Sequence, residues 1–198
     1  MQKIIFKITT ENLSFIDDSH IECFILDEDL PSHFKHDFAS KAKQFKKLTL
    51  GLCLSDVLAY NLDGIILDLS KSEHIKADFA KYTKDLKNKF IGIICRNRRH
   101  EAMIASECEP DFIVFRAWAD GIEKIKGLTS WYNEMFLIQS ALLPMDNIDY
   151  QSFKTDFVIL TDSFKQKEDE SLRLLFILSA VLFIPVIYTR IKCYFSVS

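Results

Sequence analysis

Glycine and proline are scarce in this chain, with five Gly and four Pro in 198 residues. That excludes collagen-like, linker-like and low-complexity architectures. The cysteines, Cys23, Cys53, Cys95, Cys108 and Cys193, are isolated, odd in number and never spaced C-x-x-C. Neither a zinc knuckle nor a disulfide framework fits them, and a reducing compartment does. Charge of one sign is also missing: 25 Lys and Arg stand against 28 Asp and Glu, a net charge of −3. A chain so balanced has no general attraction to nucleic acid or to an anionic membrane, so no nucleic-acid partner is expected, although a local basic site is still open. There is no P-loop, no G-x-S-x-G and no H-E-x-x-H. Met1 to Thr10 carries two lysines and only a short apolar run, unlike a secretory signal, so the expected location is the cytoplasm.

What the chain does have is phenylalanine, 17 in all, within a composition 48% hydrophobic and 27% charged. It can bury a sizeable core and is not a disordered segment. Short β-branched and aromatic runs alternate with helical patterns. Eight runs read as strands: Lys3 to Ile8, Ile21 to Leu26, Leu48 to Cys53, Gly64 to Asp68, Phe90 to Cys95, Phe112 to Phe115, Phe136 to Gln139 and Phe157 to Leu160. Most are continuously apolar, as parallel strands covered on both faces must be. Between them, Phe34, Phe38, Ala42 and Phe45 recur at spacings of four, four and three, which makes one apolar stripe over Pro31 to Lys47. Ile75 to Lys89, Asn97 to Glu109 and Asp120 to Met135 show similar stripes, with Asn97 a candidate N-cap. Glu11 to Asp18 and Asn147 to Lys154 are short and weakly helical, and Ser171 to Leu182 would be the eighth helix.

Eight such units predict a small, single-domain (β/α)8 TIM barrel over residues 1–183, with 184–198 as an apolar C-terminal extension. A doubly wound open sheet is the competing architecture. It calls for a glycine-rich first turn, and the chain instead reads Thr9-Thr10-Glu11-Asn12.

From Lys89 the sequence runs KFIGIICRNRRHEAMIASECEPDFIVFRAW. An Ile-Gly-Ile strand, a helix containing Glu101-Ala102 and Pro110-Asp111-Phe112 before the next strand resemble a stretch of the thiamine-phosphate synthase/TenI family. In that family an I-G-V-S strand precedes an E-A helix and a G-A-D-Y strand. Ser55 to Asp68, SDVLAYNLDGIILD, resembles the family's D-L-A-L-A-L-G-A-D-G-V-H-L, with Asp63-Gly64 in place. The resemblance covers roughly Lys3 to Ser163 in architecture and is specific in those two segments. It implies a transferase joining a pyrimidine diphosphate to a thiazole phosphate in thiamine biosynthesis. The family's ligand-binding residue types have nearly all changed, however. Its Q-L-R-E-K strand end falls at Ile25-Leu26-Asp27-Glu28, and its N-D-R at Gly51-Leu52-Cys53. Its H-L-G-Q-x-D falls at Ile66 to Lys71, its G-P-V-F-x-T loop at Arg116-Ala117-Trp118-Ala119, and its G-G-I at Gln139-Ser140-Ala141. The expectation is a kept fold with the thiamine-phosphate chemistry lost or altered; the alternative is a non-catalytic barrel that binds a phosphate ligand or a partner.

In such a barrel, function collects on the rim formed by the C-terminal strand ends. Arg96 and Asn97 opening a helix, with Arg116 one unit on, form the expected phosphate-binding set, because guanidinium charge adds to helix N–H groups and dipole. The plainer reading has Arg98 and Arg99 on a solvated first turn, paired with Glu101 or Glu107. Gln139 and Ser140 after strand 7, and Thr161 and Ser163 after strand 8, complete the set of substrate or phosphate contacts. An Asp162 N-cap explains the last segment as well. Asp27 and Asp68, with Glu28 nearby, are candidate Mg²⁺ ligands alongside a diphosphate, against a reading as hydrated rim carboxylates. His33 and His36 lie three apart without a third ligand and read as surface histidines. Cys95 beside Arg96 has an electropositive neighbour but no nearby His base. No catalytic residue is assigned. Finally, Leu174 to Tyr188 is apolar but for Ser179 and Pro185, shorter than the roughly 20 residues needed to cross a bilayer. It reads as helix 8 with a packed extension, against a homodimer contact or a membrane tether.

Overall fold

A computed structural model describes residues 2–161. Eight strands close into a parallel barrel in sequence order, β1 (Lys3–Ile8), β2 (Ile21–Leu26), β3 (Leu48–Gly51), β4 (Gly64–Asp68), β5 (Phe90–Ile94), β6 (Phe112–Ala117), β7 (Gln139–Pro144) and β8 (Phe157–Thr161). The helices are α1 (Ser32–Gln44), α2 (Leu54–Ala59), α3 (Ile75–Thr83), α4 (Arg99–Ser106) and α5 (Ile122–Met135), with a 3-10 turn at Tyr150–Ser152. The TIM barrel expected from the sequence is therefore the fold, and no glycine-rich first turn is needed to build it. The sequence gives no helical stripe for α2, because six residues are too few to show a period of 3.6. Glu11 to Asp18 forms turns rather than a helix. Ser163, the expected eighth helix, the 184–198 extension and the dimer or membrane contacts read from it lie outside the described residues.

Strand alternation sorts the side chains into two layers. Ile5, Ile25, Leu50, Ile66, Val114 and Ile159 fill the inside, while Phe6, Phe24, Leu67, Phe115 and Leu160 face the helices. That double burial absorbs much of the phenylalanine. Phe24 meets Phe38 of α1 edge-on at 5.1 Å, and Phe115 meets Tyr132 of α5 at 5.2 Å. Each such ring contributes roughly 2–3 kcal/mol by leaving water. Close approach explains two glycines: a Cβ on Gly64 would stand 2.2 Å from the Phe90 carbonyl oxygen, and one on Gly92 would stand 2.4 Å from the Phe112 ring.

A repeated carboxylate clasp locks strands in pairs. Asp63, Asp111 and Asp156 each precede an even-numbered strand and accept a backbone N–H from the strand before it. The bonds are Thr49 N (2.8 Å), Ile91 N (2.7 Å) and Ser140 N (2.8 Å). The Asp63-Gly64 and Asp111-Phe112 pairs noted in the sequence are two instances of this device.

Strand 7 is the one strand displaced from its expected place. The sequence suggests Phe136 to Gln139, but α5 runs to Met135 and the strand begins where that run was expected to end. The polar Gln139-Ser140 pair looks like a strand end, yet the Ser140 hydroxyl is buried. It donates to Asn133 Oδ1 of α5 at 2.7 Å, with Asp156 Oδ2 at 3.4 Å.

Candidate functional site

Continuing the same alternation one step past the aliphatic layers puts Lys7, Asp27, Asp68, Arg96, Arg116 and Thr161 on the inward side at the C-terminal mouth. All of these positions but Thr161 carry charge where the layers beneath carry Ile, Leu and Val. On the β1–β2 side, Lys7 Nζ pairs with Asp27 Oδ2, with the side chains 27% and 16% exposed. Asp27 Oδ1 also accepts the Asp29 N–H at 3.2 Å. Burial pushes the Asp27 carboxyl up. The Lys7 ammonium and the Asp29 and Glu28 N–H groups outweigh it and hold the carboxyl below its usual range.

On the β4–β6 side, Ser70 is the hub. Its N–H and hydroxyl both bond Asp68 Oδ1, at 3.0 and 2.6 Å. Arg116 reaches the Ser70 hydroxyl at 3.1 Å and Asp68 Oδ2 at 2.6 Å, and Arg96 Nε donates to the Ser70 carbonyl at 2.7 Å. Burial raises the Asp68 carboxyl, but Ser70 and Arg116 together bring it below the usual value. Asn97 does not cap α4. The cap position is Arg98, with no side-chain bond, and Asn97 Nδ2 instead donates to the Arg116 carbonyl at 2.6 Å. Asn97 thereby ties the loop after β5 to the end of β6. A cleft of about 390 Å³ opens on this platform, lined by Ser70, Cys95, Arg96, Asn97, Arg98, Arg116, Trp118 and Lys124. Four cations line it and no carboxylate does. Each guanidinium carries five N–H donors. Contacts among the described residues engage two on each of Arg96 and Arg116.

The structure thus brings Arg96, Asn97, Arg116 and Asp68 together, with Asp27 on the other side of the mouth. Thr161 ends β8 on the inward side, next to Lys7 in register. Gln139 and Ser140 do not join them. They start β7, at the opposite end of the barrel, and Gln139 borders a separate cavity with Gln2, Lys3 and Gln151. Arg98 lies 3.9 Å from Glu101, as the solvated-turn reading expects, whereas Arg99 stacks over Trp131 at 5.0 Å and Glu107 pairs with Lys76. Asp27 and Asp68 each hold a cationic side chain, so a divalent ion would have to displace Lys7 or Arg116. Among the described residues, no group of three His, Cys, Asp or Glu side chains is placed to hold a metal. His33 and His36 are exposed beside Glu11 and Asp37. Cys95 faces the helix layer, where burial pushes its thiol up to about 12, the opposite of activation.

Lys7 escaped the sequence reading because only residues after strand ends were taken as rim. The signal was present: counting by two from Ile5 makes Lys7 an inward lysine in an otherwise aliphatic strand. Trp118 and Lys124 carried no such pattern.

No protein-family model matches the chain, and no curated protein matches its sequence. Solved structures do. The YdjI aldolase of Escherichia coli superposes with a TM-score of 0.64 at 10% identity, covering 83% of this chain and 77% of that one. A citrate synthase variant, SbnG, gives 0.60 at 13% identity over 90% and 95%. Orotidine 5'-monophosphate decarboxylase from Methanocaldococcus jannaschii, solved with the inhibitor BMP, gives 0.57 at 12% over 81% and 88%. The chain shares their fold. The likeness runs across enzymes of unlike chemistry, so it does not select the thiamine-phosphate synthase family among barrels. No helix among the described residues is long and apolar enough to cross a membrane.

Proposed function

We propose that this chain is a diverged barrel of thiamine-phosphate synthase/TenI type that binds a phosphorylated, ring-bearing small molecule at its C-terminal mouth. The observation that carries this is the pair of guanidiniums, Arg96 and Arg116, both fixed through Ser70. They are held in a cleft that also presents Arg98, Lys124 and the 42% exposed Trp118. Fixed donors bind an anion without first losing rotamer freedom, and Arg forks match phosphate oxygens. Trp118 supplies a face for the ring. Any Mg²⁺ would arrive on diphosphate oxygens and meet Asp27 or Asp68 only after Lys7 or Arg116 had moved aside.

A catalytic reading is favoured by the Lys7–Asp27 pair. A partly buried ion pair adds little to stability over aliphatic side chains, so its place at the mouth points to a use in chemistry. The reaction implied by the resemblance is the joining of a pyrimidine diphosphate to a thiazole phosphate with release of diphosphate.

The binding test is thermal shift of the full chain with inorganic phosphate, diphosphate and thiamine phosphate, repeated in Arg96→Ala and Arg116→Ala. Stabilisation that grows with ligand concentration and disappears in both variants is expected. No shift with any of the three, or an equal shift in the variants, overturns the reading. Formation of thiamine phosphate from the two substrates then decides between an enzyme of that type and a binding barrel.

A further inference from the structure

Among the described residues that line the anion cleft, Ser70 alone carries a hydroxyl. Cys95 also borders the cleft but turns its thiol to the helix layer. Ser70 is half-buried, and the bond from its hydroxyl to Asp68 lies in an exposed position, so the oxygen is not sealed away.

An activated nucleophile is recognised by a hydroxyl that donates to a base which a third group holds in turn. Ser70, Asp68 and Arg116 form such a series. The Ser70 hydroxyl donates to Asp68 Oδ1 at 2.6 Å, and Arg116 Nη2 fixes the other carboxylate oxygen at 2.6 Å. Arg116 Nη1 also donates to the Ser70 hydroxyl oxygen at 3.1 Å. One guanidinium therefore touches both this oxygen and the place assigned to a bound phosphate. The backbone beneath is held as well, by the Ser70 N–H on Asp68 and by Arg96 Nε on the Ser70 carbonyl. A carboxylate paired with a guanidinium is a weak base, but phosphoryl transfer asks little of a base. Its transition state is loose, and catalysis rests on positioning and on charge that stabilises the phosphoryl oxygens. Arg96, Arg98, Arg116 and Lys124 supply that charge around a hydroxyl that Asp68 aims.

We propose that Ser70 is a phosphoryl acceptor, the nucleophile toward a phosphate ester or anhydride of a ring compound whose ring lies on Trp118. The phosphate lies on Arg96 and Arg116. The Ser70 oxygen forms a bond to phosphorus as the bond from phosphorus to the ring-side oxygen breaks. The hydroxyl proton passes to Asp68 and on to water, and the ring-side oxygen leaves with its electron pair. This assignment rests on the anion-binding reading of the cleft and adds a chemical step to it. It is a separate reaction from the joining of two phosphorylated substrates and uses neither Lys7 nor Asp27.

The test incubates the full chain with p-nitrophenyl phosphate, which offers a ring to Trp118 and a phosphate to the arginines. Samples are quenched in acid at intervals and the modified residue is mapped by mass spectrometry. A phosphoryl group on Ser70 is expected, together with release of p-nitrophenolate. Arg116→Ala is expected to slow that release by about a hundredfold, the effect of removing a donor from developing charge. Ser70→Ala is expected to abolish the modification, and Ser70→Thr, which keeps a hydroxyl, to retain it. Because mapping on the unmodified chain needs no variant, a folding defect in any of them does not remove the test. A thermal shift with p-nitrophenyl phosphate but no phosphoserine at any time overturns the nucleophile and leaves the anion site standing. A phosphoryl group on another residue in place of Ser70 does the same. Neither a shift nor phosphoserine overturns both.

Discussion

Replacing Lys7 and Asp27 together tests whether the mouth is charged for the sake of the fold. Removing one partner of a fully buried pair costs about 3–5 kcal/mol, and removing one from an exposed pair about 0–1. With side chains 27% and 16% exposed, Lys7→Met should cost about 2 kcal/mol, because Asp27 loses its one cationic partner and keeps only neutral backbone N–H donors, from Asp29 and Glu28. That corresponds to roughly 4–8 °C in melting temperature for a chain of this size. Asp27→Leu alone strands the ammonium and should cost as much. In the double variant no charge is stranded and two apolar side chains continue the aliphatic layer below. The remaining loss is the backbone N–H bonds from Asp29 and Glu28, about 1–2 kcal/mol, offset in part by apolar burial. Urea unfolding at neutral pH of the four proteins closes the cycle. A double variant that loses as much as the two single variants summed would show that the pair holds the barrel together and would refute the reasoning. One close to the parent confirms that the pair is dispensable to the fold.

Acid should unfold the protein by a route that these carboxylates dominate. Asp27 and Asp68 have folded-state values below their unfolded ones, so their contribution is complete above about pH 5 and is lost as pH falls through the unfolded and then the folded values. Melting temperature measured from pH 8 down to pH 3 should be flat to about pH 5 and then fall, and less steeply in Lys7→Met/Asp27→Leu. Gly64→Ala should be among the most damaging single changes, because its Cβ meets a backbone carbonyl at 2.2 Å. A loss of about 3 kcal/mol or more in urea unfolding is expected, and a loss under 1 would contradict the packing of β4 on β5. Asp111→Ala leaves the exposed Ile91 N–H to water and should cost about 0.5–1 kcal/mol, whereas Asp111→Asn, which keeps an acceptor oxygen, should recover most of it.

Much of the barrel was legible because its strands obey two rules at once, continuous apolarity and a period of two, and the helices α1, α3, α4 and α5 show a clear stripe. Where either signal weakens, the reading fails for a local reason. Strand 7 was displaced because Phe136 and Ile138 belong to the connection after α5, packed on the outer layer, while the true strand opens with two polar residues. Ser140 can be polar there only because Asn133 and Asp156 meet it from other elements, and no window of sequence contains those partners. The site divides in the same way. Arg96, Arg116, Asp27 and Asp68 could be placed on the rim from the strand ends alone, but what they do depends on pairing across strands. Asp27 and Asp68 both suggest metal ligands in isolation. In the fold, the lysine of β1 and the arginine of β6 occupy them first. The same exchange turns Arg116 from a free cation into one held at a fixed angle by Asp68 and Ser70. The acidic residues at this mouth therefore serve to aim the basic ones, and the anion binding proposed for the site would rest on the N–H groups that the carboxylates leave over.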